Sequence, residues 1–311
     1  MRTFLVFVLL LAGCRRGPVL PTDGGVAETL RTCPTSGSGA VEGEHCFVLS
    51  PAETGLLADG ENATVEQYAL RPVSGARGQL MLFFNGSGGS PRAGTGTATK
   101  SWYGVSRGAG YHVFAVSYAS DESIGSLCRM DDACFEPTRL AMLTGTAQPG
   151  AASSVADLRA DEGAEARVFA GLRLLAALDP QGGWDAFLEG DQVRWEKVVT
   201  AGHSQGAGHA ALVGKRRSVA RVIMLAGPCD QVNGAAASWM KRDSSFATGA
   251  ERFFGLGVDG DLTCPAFATN WDALQVPAAQ QLKGSACVAA DAHGAPLSCS
   301  NNAALWRQML E

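Results

Sequence analysis

Blocks of like charge are missing from this chain. Its 25 lysines and arginines are set against 30 aspartates and glutamates, and the resulting formal net charge of -5 is spread without an acidic or basic run. That excludes a polyanion partner held on a basic face, nucleic acid above all, and leaves no electrostatic footprint for a membrane. Closely spaced metal-ligating sets are missing as well: none of the nine cysteines belongs to a C-x-x-C pair, so no metal is expected. The P-loop spacing G-x-x-x-x-G-K-[ST] is absent, and with it one common nucleotide site. There is no internal repeat. Histidine is scarce, at five residues, which keeps any search for a general base short.

One long apolar run exists, and it stands at the start. Arg2 is followed by an apolar stretch from Phe4 to Ala12 and then by Gly13-Cys14. The stretch is too short for a membrane span, which needs about 20 residues, but it suits an export signal over residues 1–13. Leu11-Ala12-Gly13-Cys14 resembles the lipobox of bacterial lipoproteins. The resemblance implies that Cys14 is acylated and that the protein is held to a membrane of the bacterial cell envelope, periplasmic or outer-surface. Residues 14–40 are rich in Gly, Pro, Ser and Thr and have no apolar period, as expected of a flexible tether. The folded domain is expected over residues 41–311.

With Cys14 set aside, eight cysteines remain in a chain that reads as exported, so four disulfides are expected. Nearness in sequence pairs Cys33 with Cys46, Cys128 with Cys134, and Cys287 with Cys299. Elimination leaves Cys229 with Cys264.

The body is 46% hydrophobic across the whole chain, enough for one α/β domain. Short, continuously apolar segments predict strands over residues 64–71, 79–85, 111–118, 197–203, 220–225 and 252–257, covered on both faces. A helix is predicted over residues 154–178, opened by Ser154 with Asp157 as a capping box. Alternation of strand and helix gives a mostly parallel sheet flanked by helices, with active loops beyond the carboxyl ends of the strands. Residues 120–150, with Cys128, Cys134 and Pro137, read as a long connection that either covers a site or is a surface excursion braced by its own disulfide.

The sharpest motif follows the run Val198-Val199-Thr200-Ala201: Gly202-His203-Ser204-Gln205-Gly206. Small residues at Ala207, Ala210 and Ala211 continue it as a helix. A serine hydroxyl is a weak nucleophile unless it projects from a tight strand-to-helix turn toward a base, and glycines two before and two after permit that turn. Of the histidines, His45 lies beside Cys46 near the tether, His112 lies inside a strand, His203 is on the turn itself with its side chain expected to point elsewhere, and His209 is carried away by the helix. His293, in the loop Asp291-Ala292-His293-Gly294, follows the last predicted strand and is the expected base. For the orienting acid, Asp261 is preferred by its place in Val258-Asp259-Gly260-Asp261, with Asp259 and then Asp230 as alternatives. Oxyanion donors are expected from the N–H of Gln205 and from Gly86 or Ser87 in the glycine-rich loop after Phe84.

These pieces resemble the α/β-hydrolase superfamily, in particular its secreted or lipid-anchored serine esterase-like members with a GHSQG elbow. The resemblance spans most of residues 79–294. It implies a Ser204–His293–Asp261 triad, a cofactor-free acyl-enzyme mechanism, and small-molecule or lipid ester substrates. Asn85 stands where many relatives carry His, and the acid turn carries an extra aspartate. A catalytically inactive binding lipoprotein of the same fold is the alternative function.

Overall fold

A computed structural model describes residues 29–33, 45–56, 65–72, 74–94, 101–288 and 290–311. The expected export signal, Cys14 and all of the expected tether except residues 29–33 lie outside the described residues. A nine-stranded sheet organises the rest. Its strands, in chain order, are β1 (Arg31–Thr32), β2 (Cys46–Leu49), β3 (Gln67–Leu70), β4 (Leu80–Phe84), β5 (His112–Val116), β6 (Val198–His203), β7 (Arg221–Leu225), β8 (Phe253–Gly257) and β9 (Gln281–Lys283). The spatial order is β1-β2-β3-β5-β4-β6-β7-β8-β9. The three pairings at the β1 end are antiparallel, and the five from β5 to β9 are parallel. This is the expected α/β architecture, a mostly parallel central sheet flanked by helices.

The predicted strands are all present, trimmed at their ends. Three others went unpredicted, β1, β2 and β9, at the two sides of the sheet. Arg31 and Thr32 pair with Val48 and Phe47, and Cys33 is buried and bonded to Cys46. Order therefore begins ahead of residue 41.

Continuous apolar strands follow from cover on both faces. In β4, Leu80, Leu82 and Phe84 join the core on one side, packed with α3 (Asp132–Thr144), α4 (Ala164–Leu178) and α5 (Gln205–Arg216). Met81 and Phe83 point to the other side, toward α1 (Trp102–Gly108) and α8 (Ala303–Leu310), the helix that follows α6 (Phe267–Ala273) and α7 (Ala295–Ser298). Side chains alternate across a strand, so neither face can be polar. Trp102 and Trp306 meet edge to face at 6.2 Å between α1 and α8.

Two expectations are corrected. The helix predicted over residues 154–178 begins at Ala164 with Gly163 as its N-cap, and Ser154 lies in a separate short 3-10 turn, Ser153–Val155. A turn intervenes, in which Glu162 N–H donates to Arg159 O and Arg159 N–H donates to the Glu162 carboxylate, at 2.9 and 2.8 Å. The capping-box pattern at Ser154 was outcompeted by that local bonding. The stretch 120–150, read as a long connection, holds two helices that were not expected, α2 (Ile124–Cys128) and α3, with the Cys128–Cys134 bridge between them. Pro137 sits in the first turns of α3, and Asp131 caps it by accepting from Ala133 N at 3.0 Å.

Candidate active site

Ser204 lies between β6 and α5 with φ 56° and ψ -120°. A non-glycine residue at positive φ is strained and persists only where its surroundings over-determine it. Here the determinants are close backbone approaches. A β-carbon at residue 202 would lie 2.2 Å from Gly206 O, and one at residue 206 would lie 2.1 Å from Phe84 O. Only glycine fits at either place. Ser204 N–H is held by Leu225 O at 2.8 Å, which ties the turn to β7.

The carboxylate of Asp261 is buried. Its Oδ1 accepts from the N–H groups of Thr263 and Cys264, both at 2.9 Å, and its Oδ2 lies 2.8 Å from His293 Nδ1. A carboxylate only accepts, so the imidazole carries a proton on Nδ1, the tautomer that in a neutral ring leaves Nε2 as the acceptor. Asp259 is exposed and paired with Lys283 Nζ at 2.9 Å. Asp230 is buried but engaged with Arg139 and Trp239. Of the three carboxylates weighed from sequence, Asp261 is the one joined to His293. Among the described residues, the Ser204 hydroxyl has no hydrogen-bond partner, His293 included.

His203, whose side chain was expected to point elsewhere than the serine hydroxyl, lies against the His293 loop. Its Nε2 is 2.8 Å from His293 O, and the two rings are 4.9 Å apart. Burial pushes its pKa down to about 4, more than the bond to His293 O raises it, so the ring is neutral at physiological pH. The remaining histidines have other surroundings. His45 accepts from Arg71 at 2.8 Å, His112 bonds Gly182 O at 2.7 Å, and His209 is fully buried against Tyr118 and Phe84, which holds its pKa well below 6.5.

Gln205 opens α5, so its N–H has no partner within the helix. In the loop after β4, the N–H groups of Gly88 and Gly89 are committed to Ser120 O and Gly86 O, at 2.6 and 3.0 Å. Those of Gly86 and Ser87 donate no hydrogen bond among the described residues. Gly86 also borders the serine, since a β-carbon there would be 3.2 Å from Ser204 Cβ. Asn85 braces this loop from behind: its Nδ2 donates to Gly86 O, Gly89 O and Ser120 Oγ at 2.9 to 3.0 Å, and Tyr118 OH donates to its carbonyl at 2.6 Å. The pattern of the loop did not disclose that role.

Two of the four disulfides join the loops just described. Cys229–Cys264 links the segment after β7 to the Asp261 turn, and Cys287–Cys299 spans the His293 loop. Cys33–Cys46 and Cys128–Cys134 are paired as expected from sequence.

No family model matches the chain, and no curated protein matches it. Among solved structures, the apo form of Thermogutta terrifontis esterase 2 aligns at 14% identity over 80% of this chain and 87% of its own, with a TM-score of 0.38. Its butyrate-bound form aligns at 13% identity over the same shares, with a TM-score of 0.40. EstE1, a thermostable carboxylesterase cloned from a metagenomic library, aligns at 14% identity over 80% of this chain and 85% of its own, with a TM-score of 0.39.

Proposed function

We propose that this protein is a serine hydrolase of carboxylic esters that works through an acyl-enzyme. The observation that supports it most is the 2.8 Å bond between Asp261 and His293 beside the strained serine turn. In this reading His293 Nε2 takes the Ser204 proton as Oγ attacks the acyl carbon. Negative charge develops on the carbonyl oxygen, where the N–H of Gln205 and that of Gly86 or Ser87 stabilise it. The imidazolium, held by ionised Asp261, returns the proton to the leaving alcohol. Water, deprotonated by the same histidine, then releases the acid. The Ser204–His293 bond closes on substrate binding, since such contacts are often long in the free enzyme.

The same proposal includes acylation of Cys14 and attachment to a membrane of the cell envelope, with small-molecule or lipid esters as substrates and no cofactor. Its test is a fluorophosphonate probe together with a panel of chromogenic esters of graded acyl length. Labelling and turnover that vanish in Ser204→Ala support the enzyme. The second reading, a silent scaffold serving as a binding lipoprotein, has the unpartnered Ser204 hydroxyl on its side. Absence of both labelling and turnover in the wild type decides for it.

A further inference from the structure

His203 has no part in the chemistry just described, yet it touches three pieces of the site. It ends β6, in the interior of the sheet, and directly precedes Ser204. Its Nε2 is 2.8 Å from the backbone oxygen of His293, an atom that can only accept, so Nε2 bears the proton. Its Nδ1 faces the oxyanion loop, because a β-carbon on Gly86 would stand 3.3 Å from it.

The loop that carries His293 is otherwise tied to itself and to elements other than the serine turn: Ala290, Ala292, Ala295 and Cys299 pack with Val258, and Trp306 Nε1 donates to Pro296 O at 2.7 Å. Asp291 bonds the N–H groups of Gly294 and Ala295 within the loop itself. Cys287–Cys299 closes the loop on itself. Asn302, ahead of α8, accepts from Ser285 N–H and donates to Ala295 O, at 2.9 and 3.0 Å. Among the described residues, the His203 bond is the hydrogen bond that joins the backbone of this loop to the serine turn.

We propose that His203 is a positioning residue whose Nε2–H sets the distance between the His293 backbone and the Ser204 turn. The inference rests on the serine-hydrolase reading above. Asp261 orients the imidazole from one end while His203 anchors its backbone from the other, so the base is located at two points, by the turn after β8 and by the end of β6. Since His203 and Ser204 are consecutive, the nucleophile and the base are connected through one peptide link, the His203 side chain and one hydrogen bond. Misplacement of a catalytic group by about 1 Å can lower the rate about 100-fold.

The test compares wild type, His203→Leu, which removes the donor, and His203→Gln, which restores an N–H near the Nε2 position. On a p-nitrophenyl ester, His203→Leu is expected to lower kcat about 10- to 100-fold with KM unchanged, and His203→Gln to recover most of that loss. Wild-type kcat in His203→Leu, or an equal loss in both variants, overturns the inference. A measurement on the wild type does not depend on the variants folding: long-range nitrogen–proton NMR correlation should show His203 as the Nε2–H tautomer, and an Nδ1–H tautomer overturns it. Failure of the serine-hydrolase reading shows separately, as a wild-type Ser204 that no fluorophosphonate labels, and it takes this inference with it.

Discussion

Arg139 and Asp230 form a buried two-point ion pair beneath the serine turn: Nε donates to Oδ2 at 2.7 Å and Nη2 to Oδ1 at 2.5 Å. The remaining guanidinium nitrogen, Nη1, donates to Gln205 O at 2.8 Å, and Trp239 Nε1 adds a bond to Asp230 at 2.8 Å. All three guanidinium nitrogens and both carboxylate oxygens are thereby engaged, the condition under which a buried pair is tolerated. Removing one partner strands the other charge in the core. Arg139→Met is therefore expected to destabilise the fold by about 3–5 kcal/mol in urea unfolding, and Arg139→Met with Asp230→Leu by much less. Equal losses in the two would show that the pair contributes through packing rather than charge.

The two aspartates of the acid turn should separate cleanly. Asp261→Asn removes the carboxylate that holds the His293 tautomer, and loss of that function lowers kcat about 10^4-fold in a Ser-His-Asp system. Asp259→Asn breaks only an exposed pair with Lys283, worth about 0–1 kcal/mol, and should leave kcat near wild type. Steady-state kinetics of the two variants on one ester checks this; the reverse ranking would reassign the acid.

Acid should weaken the fold before the carboxylates titrate. Burial holds His112, His203 and His209 below the ordinary histidine value of 6.5. When the folded pKa is depressed, the unfolded chain binds the proton first, so stability rises with pH wherever the two states differ. The contribution is full above about pH 6.5 and is lost as pH falls toward the folded values, which for His203 is about 4. Thermal unfolding scans between pH 7.5 and about 4.5 should show Tm declining from about pH 6.5 downward. A flat Tm across that interval would mean that these rings are charged or solvated in the folded protein.

Opening the disulfide around the base should impair turnover at temperatures where the domain stays folded. The Cys287–Cys299 bridge closes a loop of 12 residues' separation, and its loop-closure contribution is about 3 kcal/mol on the chain-entropy account. A Cys287→Ser/Cys299→Ser variant is expected to lose kcat while retaining its far-ultraviolet circular dichroism at 25 °C. Unchanged kcat in that variant would show that Asp261 and the neighbouring turns suffice to hold His293.

Much of this molecule could be read from consecutive residues. Strands covered on both faces leave unbroken apolar runs such as Leu80–Phe84, and the serine turn leaves two glycines at a set spacing, because each feature is dictated by contacts within a few positions of the chain. Edge strands such as Arg31–Thr32 left no such trace: they are short and take their partners from elsewhere. The start of α4 was misread because Ser154 and Asp157 satisfy a local rule that the Arg159–Glu162 turn overrides.

The serine turn, the order of Ser204, the candidate aspartates and His293, and the cysteine pairings expected from nearness and elimination were legible in the linear chain. Tertiary structure decided which of three aspartates meets His293, that His203 lies against the His293 loop, and that Asp230 serves Arg139. The reason is physical: those choices depend on which loops the order of strands brings to the same rim, and side chains many positions apart carry no mark of their partner until the sheet has assembled between them.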